Sequence, residues 1–455
     1  MDRRADQVAV PVQPVAVAAD SQGAGGALAQ ERLDYSRSKY NDAPWILLFV
    51  GALLALVAIS SAGVEESTTR DDVRSFVQVL GPAIGITLAF SLVWTTIWTF
   101  VMRFIPHIVI HLMFVVSIAV PIVLLAFGSS GAGDVAFRVI VSAGISIYYF
   151  VAWNRIPLAS ATMTIASKCL HKFPASYLIC IAGLVVDGAL ITFILAGIHW
   201  IVEAQWRIIV VMVLFVYTTS VIGNVVHTST SGVAASFFFF SDPRHPTSSA
   251  FKRSVTTSLG SICLASLLIL IADAILNVLG QLCCCCRLCC NRILKRLLDS
   301  YKVYALCFVA IYGRPILESA RRTNAMVRAS GLDMVINDSI ALRVLFLGAA
   351  IGGIAAGILS GLWAKAWLIS QVSDASDPEV QWGIAFVCVF IVLICAIVGV
   401  VVISHGLRPV RSAIATLFVC WADDPDAIKR ARPDLYAPLL EAAKKRYPGL
   451  NPRFT

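Results

Sequence analysis

The chain has 455 residues, of which 58% are hydrophobic and 14% charged, against roughly 25% charged in an average globular protein. A water-soluble core of this length cannot hide so much apolar surface, so a soluble enzyme, a disordered protein and a secreted disulfide scaffold are excluded. The apolar runs are near-continuous over about 20 residues, enough to cross a hydrocarbon layer of roughly 30 Å. They lack the two-residue alternation of barrel strands. The fold class is therefore all-α: a polytopic membrane protein with about ten transmembrane helices. The net charge of +9 reports orientation rather than nucleic-acid binding, because cytoplasmic segments are enriched in Lys and Arg.

Residues 1–44 form a low-complexity tail rich in Ala, Val, Pro, Gly and Gln, expected to be disordered and cytoplasmic, with no cleaved leader. Spans are expected at 45–60, 76–101, 106–127, 135–153, 177–198, 208–226, 259–279, 301–316, 342–363 and 383–403. The eighth is the weakest, running out at Glu318, Arg321 and Arg322. The piece 155–172 alternates small, polar and basic residues and reads as a helix lying on the membrane surface. Residues 45–407 make the membrane domain, and 408–455 read as a polar cytoplasmic tail with an amphipathic helix pair. Ten spans put both termini on one side. If that side is cytoplasmic, 26 Lys and Arg lie inside and 10 outside, together the chain's 36, as the positive-inside bias requires. The Cys-rich linker 281–302 carries five of the ten outside charges. Either that loop is outside, or one of two neighbours, 232–240 or 301–316, re-enters without crossing.

The second half carries a family resemblance. The string Arg253-Ser-Val-Thr-Thr-Ser-Leu-Gly-Ser-Ile-Cys-Leu-Ala-Ser-Leu-Leu-Ile and the Cys cluster after it resemble the seventh span of the choline transporter-like family. Tyr304-Ala-Leu-Cys-Phe-Val-Ala-Ile-Tyr-Gly-Arg, with Ser319-Ala-Arg321, is similar to a second family segment. Thr416-Leu-Phe-Val-Cys-Trp-Ala-Asp-Asp-Pro425 and Pro433-Asp-Leu-Tyr436 resemble the C-terminal signature of its short fungal and protist branch, and the short first outer loop fits that branch. Upstream, only Arg155-Ile-Pro-Leu-Ala and the hydropathy match. The resemblance implies a transporter of choline or a related amine such as ethanolamine, with ten spans and cytoplasmic ends, by family default in the plasma membrane. A non-transporting membrane scaffold or lipid-interacting protein that keeps the fold is the alternative.

A quaternary ammonium cannot donate a hydrogen bond through nitrogen, so its site must offer aromatic faces and a carboxylate. Asp187 and Asp273 are the acids deep inside expected spans, and an intramembrane acid is a functional candidate by default. Neither has a basic residue at i±4, though either could instead pair with a neighbouring helix. The candidate cage rings are Trp94, Trp98, Tyr148, Tyr149, Tyr217 and Trp363, with Trp153 and Trp367 also within or beside spans. Trp94 and Trp98, like Trp363 and Trp367, are four apart and share a helix face. Trp45, Trp200, Trp206, Trp382 and Trp421 sit at span ends and read as interfacial anchors. Asn224 and His227 line an exit path or face headgroups. The glycines from Gly348 to Gly361 read as close helix packing.

Four consecutive cysteines, Cys283 to Cys286, with Cys289 and Cys290, lack the paired spacing of a zinc ribbon and read first as acylation sites beside a span. Walker, HExxH and GxSxG motifs are absent from the sequence. The chain is therefore expected to be no enzyme, to need no cofactor or metal, and to have a small cationic substrate and the lipid bilayer as its partners.

Overall fold

Once a chain leaves water, each backbone N–H and C=O must be paired within the protein. The computed structural model, which describes residues 40–67, 71–126, 131–282, 290–330, 333–371 and 378–446, meets this with helices and, among the described residues, no strand. The tail 1–39 and the cysteines from Cys283 to Cys289 lie outside the described residues. In chain order the helices are α1 (Pro44–Ser67), α2 (Asp71–Phe104), α3 (Pro106–Ala126), α4 (Ala132–Ala152), α5 (Ile156–Lys172), α6 (Ala175–Ala196), α7 (Ile198–Val202), α8 (Gln205–Phe239) and α9 (Pro246–Val255). They continue with α10 (Leu259–Leu282), α11 (Cys290–Tyr312), α12 (Ile316–Ser330), α13 (Asp333–Gln371), α14 (Pro378–Gly406), α15 (Arg408–Asp423), α16 (Pro425–Ala431) and α17 (Pro433–Arg446).

Nine stretches among the described residues are long and apolar enough to cross a membrane, and they coincide with nine of the ten expected spans. The protein is a multi-pass, all-helical membrane protein. The tenth expected span, 301–316, is not straight. Tyr301–Tyr312 and Ile316–Val327 meet at 116°, where Gly313 takes a left-handed φ of 60° that costs a glycine little. The other suspected re-entrant piece, 232–240, is instead continuous with α8, which is buried to its end at Phe239.

Two segments differ from their sequence reading. Residues 155–172 are not an open amphipathic face: α5 is buried at ten positions, from Ile156 to Leu170, beneath α15, α17 and α2. Its Ala, Ser and Thr positions, which look polar in sequence, are small enough to admit other helices closely. The stretch after 407 likewise opens with a core helix. In α15, eleven residues from Pro409 to Cys420 are buried against α8, α5 and α11.

The tightest pairing is the α13–α14 hairpin. A Cβ at Gly353 would lie 2.6 Å from Val400 N, and one at Gly357 would lie 2.6 Å from Val392 O. Bare glycines let the two backbones touch, so these residues serve packing, as the small-residue spacing implies. Helix α2 lies along both α13 and α14.

A polar clamp joins the start of the membrane domain to the bent pair. Asp42, at φ 55°, accepts hydrogen bonds through Oδ2 from Ser261 Oγ at 2.6 Å and from the Ile316 N–H at 3.2 Å. Asn41 Nδ2 donates to Gly313 O at 2.6 Å. The residues of the motif strings are thus architectural here: Ser261 begins α10, Gly313 forms the bend, and buried Arg253 donates to Val309 O at 3.1 Å beside it.

Two stability outcomes are expected in detergent-solubilised protein titrated with denaturant. Gly353→Ile forces side-chain atoms into the α14 backbone and should cost about 1–3 kcal/mol. Asp42→Ala leaves Ser261 Oγ and the Ile316 N–H without their charged acceptor and should cost about 1.5–3 kcal/mol. Unfolding midpoints equal to the wild type would remove the packing role from the first position and the clamp from the second.

Candidate functional site in a buried polar core

Helix α8 is the spine of the polar core. Its first half is apolar. From Tyr217 onward it buries Thr218, Asn224, His227, Thr228, Ser229, Thr230, Ser231 and Ser236. A polar stripe of this kind is stable in an apolar medium only if neighbouring helices answer it. Asn224 Nδ2 donates to Ser266 Oγ of α10 at 2.7 Å. His227 Nδ1 meets Ser412 Oγ of α15 at 2.7 Å, and its Nε2 meets Val303 O of α11 at 3.0 Å. Neither residue faces headgroups. Both tie the spine to other helices.

Asp187 lies on α6 and is only 5% exposed, whereas Val185 and Val186 just before it are exposed. Its nearest ionisable partner comes from 218 positions later: Oδ2 stands 3.8 Å from His405 Nδ1 on α14. His405 Nε2 lies 2.9 Å from Arg408 Nη2, and the guanidinium charge acts on Asp187 and on the Cys180 thiol. A Cβ at Gly223 of α8 would overlap Arg408 Nη1, so glycine at that position opens the slot in which the guanidinium sits. Cys180 Sγ contacts His405 O at 3.0 Å. The order carboxylate, imidazole, guanidinium keeps the two fixed charges apart by one ring. Asp187 Oδ1 is buried and has no hydrogen-bond partner among the described residues.

Helix α2 borders this core with Thr87, Ser91, Thr95 and Thr99, all buried and spaced by four. Thr95 packs where a Cβ at Gly406 would stand, next to His405. One residue away the rings begin. Trp94 stacks on Trp98 at 6.1 Å and on Phe90 at 6.0 Å. Trp94 Nε1 donates to Gly348 O at 2.8 Å, whereas Trp98 Nε1 and Ser91 Oγ are buried without a partner among the described residues. Trp94 and Ile403 of α14 both crowd Gly352, so the ring pair and the Asp187–His405 contact lie at the same end of α14.

The other sequence candidates stand elsewhere. Asp273 is half-buried on α10, a helix that, like α6, leans on α8 and α1. Tyr217 packs edge-on to Phe49 at 6.4 Å, and its hydroxyl donates to Cys263 O at 3.4 Å. Tyr148 has its face covered by the chain's own Arg343 guanidinium at 4.3 Å. Tyr149 packs against Phe114, Trp153 and His111. Trp363 stacks on Trp367 at 6.5 Å on α13. The eight candidates therefore do not line one chamber. Two grooves, of about 260 and 470 Å³, lie on outer apolar faces and are lined by none of them.

His405 and Arg408 escaped the sequence reading because they sit at the junction taken as the start of a tail. Searching i±4 for a partner of Asp187 could not find them. The available signal was the pair itself, a histidine and an arginine three apart at the end of an apolar span.

His227 should prove structural. His227→Ala removes the ring that joins Val303 O to Ser412 Oγ and opens a cavity, at a cost of about 2–4 kcal/mol, measurable by denaturant titration in detergent. Unchanged stability would show that the ring does not hold α8, α11 and α15 together.

The profile of a family described as plasma-membrane choline transporter matches residues 137–426, so the similarity reaches well upstream of the motif strings and covers the whole polar core except α2. The chain is 27% identical over 354 residues to the protein PNS1 of Mycosarcoma maydis, covering 70% of this chain and 64% of that one. It is 29% identical over 252 residues to pns1 of Aspergillus fumigatus, covering 50% and 44%. A CTL-like protein of Dictyostelium discoideum is 26% identical over 315 residues, covering 64% and 53%. The chain thus spans less than two thirds of the length of each of these relatives. With the family profile matched across most of the membrane domain and with fungal and protist relatives alike, this multi-pass helical protein belongs to the choline transporter-like family.

Proposed function

We propose that the protein carries choline or a related small organic cation across the membrane, without ATP, with Asp187 as the counter-charge of the site. The observation that carries this reading is the half-satisfied carboxylate: Oδ2 faces His405 while Oδ1 is buried and has no partner among the described residues. An ionised group taken out of water is costly unless paired. A transient cation that pairs with Oδ1 would be stabilised by the same energy that makes the empty site unfavourable. Arg408, held one imidazole away, balances the charge of the empty site without occupying the carboxylate.

Trp94 and Trp98 belong to the proposed site as the aromatic wall for the methyl groups, a cation over such a ring gaining roughly 0.5–2 kcal/mol. Trp98 Nε1 and Ser91 Oγ, which have no partner among the described residues, can serve the substrate's hydroxyl. Tyr148, Tyr149, Tyr217, Trp363 and Asp273 are not needed for the proposed site. The driving force is the substrate gradient and the membrane potential. A potential of 100 mV contributes about 2.3 kcal/mol per unit charge, enough for roughly fiftyfold accumulation of a monovalent cation. Both termini are proposed to be cytoplasmic, with the bent pair counted as the tenth span, and the residence the plasma membrane, in line with the charge distribution and the family description.

Asp187→Asn should lower saturable radiolabelled choline uptake by about tenfold or more in choline-transport-deficient cells at equal surface level, since one lost ion pair out of water exceeds the roughly 1.4 kcal/mol that a factor of ten represents. Uptake unchanged by the substitution removes Asp187 from the site. A thermal-shift panel on purified protein sets choline against ethanolamine and a polyamine. A shift with a primary amine alone makes that amine the substrate, and neither shift nor uptake with any amine identifies a non-transporting scaffold.

A further inference from the structure

We infer that His107 and His111 form a binding site for a divalent transition-metal ion of the kind imidazole prefers, such as Cu²⁺, Ni²⁺ or Zn²⁺, at the corner between α2 and α3. A single residue joins the two helices there: α2 ends at Phe104 and α3 begins at Pro106. His107 lies in the first turn of α3 and His111 one turn on, so the two rings share a face.

Their Nε2 atoms converge to 3.4 Å, with ring centroids 4.5 Å apart. Two nitrogens bound to one ion at 2.0–2.1 Å in tetrahedral geometry stand about 3.4 Å apart. The pair is therefore already at the separation that a shared ion requires. Two imidazole lone pairs at that distance repel unless a proton or a cation lies between them.

The surroundings orient the rings for this task. His111 Nδ1 lies 2.7 Å from Tyr149 Oη of α4. In the tautomer that donates from Nδ1 to that oxygen, Nε2 presents its lone pair, the arrangement by which an outer partner fixes a metal-binding histidine. The Trp153 ring, 5.1 Å from His111, packs on the same imidazole. His107 is exposed, which leaves the outer side of the pair open to further ligands. Among the described residues no third His, Cys, Asp or Glu joins the pair. Two neutral nitrogens without carboxylate suit the later first-row ions and not Ca²⁺ or Mg²⁺, which take oxygen ligands. The site lies apart from Asp187 and does not depend on the transport reading.

The test uses full-length protein purified by a non-histidine tag, with thiols alkylated by N-ethylmaleimide and the protein placed in nanodiscs. The probe is Cu²⁺ complexed with iminodiacetate, which leaves positions for two imidazoles. Electron spin echo modulation should count two imidazoles on one bound copper per chain. His107→Ala and His111→Ala should each weaken binding by about tenfold or more and leave one imidazole. Because His107 is exposed, the metal-free His107→Ala protein should melt with the wild type, which separates loss of a ligand from loss of the fold. A one-imidazole signal in the wild type, no bound copper, or binding that survives both substitutions overturns the site.

Discussion

A carboxylate removed from water, facing an imidazole with a guanidinium behind it, is the interaction around which the polar core is arranged. Asp187 comes from α6, His405 from α14, Arg408 from α15, and the slot for Arg408 from Gly223 on α8. An unpaired buried charge is costly, and a directly bridged pair would leave no room for the ring between them. The intervening ring of His405 holds the charges between those limits. Four helices far apart in sequence must come together for this to exist, which makes the site a property of the assembled bundle.

The same economy of polar groups explains the long helix α8. Where a soluble protein would leave Asn224, His227 and Ser231 to water, here each meets α10, α11 or α15. Those bonds fix the relative positions of the helices that carry the charged residues. The motif strings of the family act one level further out. Ser261, Gly313 and Arg253 build the clamp on Asn41 and Asp42 and the bend between α11 and α12. Their part is to hold the frame.

How much was legible in sequence follows from the range of the forces involved. The spans were legible because hydrophobic length is a local property, and nine of them stand where the apolar runs are. The pairing of Trp94 with Trp98 and of Trp363 with Trp367 was legible from spacing, since i and i+4 share a helix face. Helix α5 was misread because Ser160, Thr162, Thr164 and Ser167 look solvated in isolation, whereas small polar side chains can also bond their own helix and let others approach, as Thr162 does with Ala159 O. The bend at Gly313 showed only as a weak span.

The sequence by itself determined that this chain is a bundle of membrane helices, which family it resembles, and that Asp187 needs a partner, because apolar length, ordered motifs and an acid in an apolar run are all readable along one strand of text. Only the tertiary structure decided that the partner is His405 with Arg408 behind it, that α5 and α15 are core helices, and that the aromatic residues fall into several separate groups. Those outcomes depend on which helix faces meet across the bundle, and contacts between residues hundreds of positions apart leave no periodic trace in the chain that makes them.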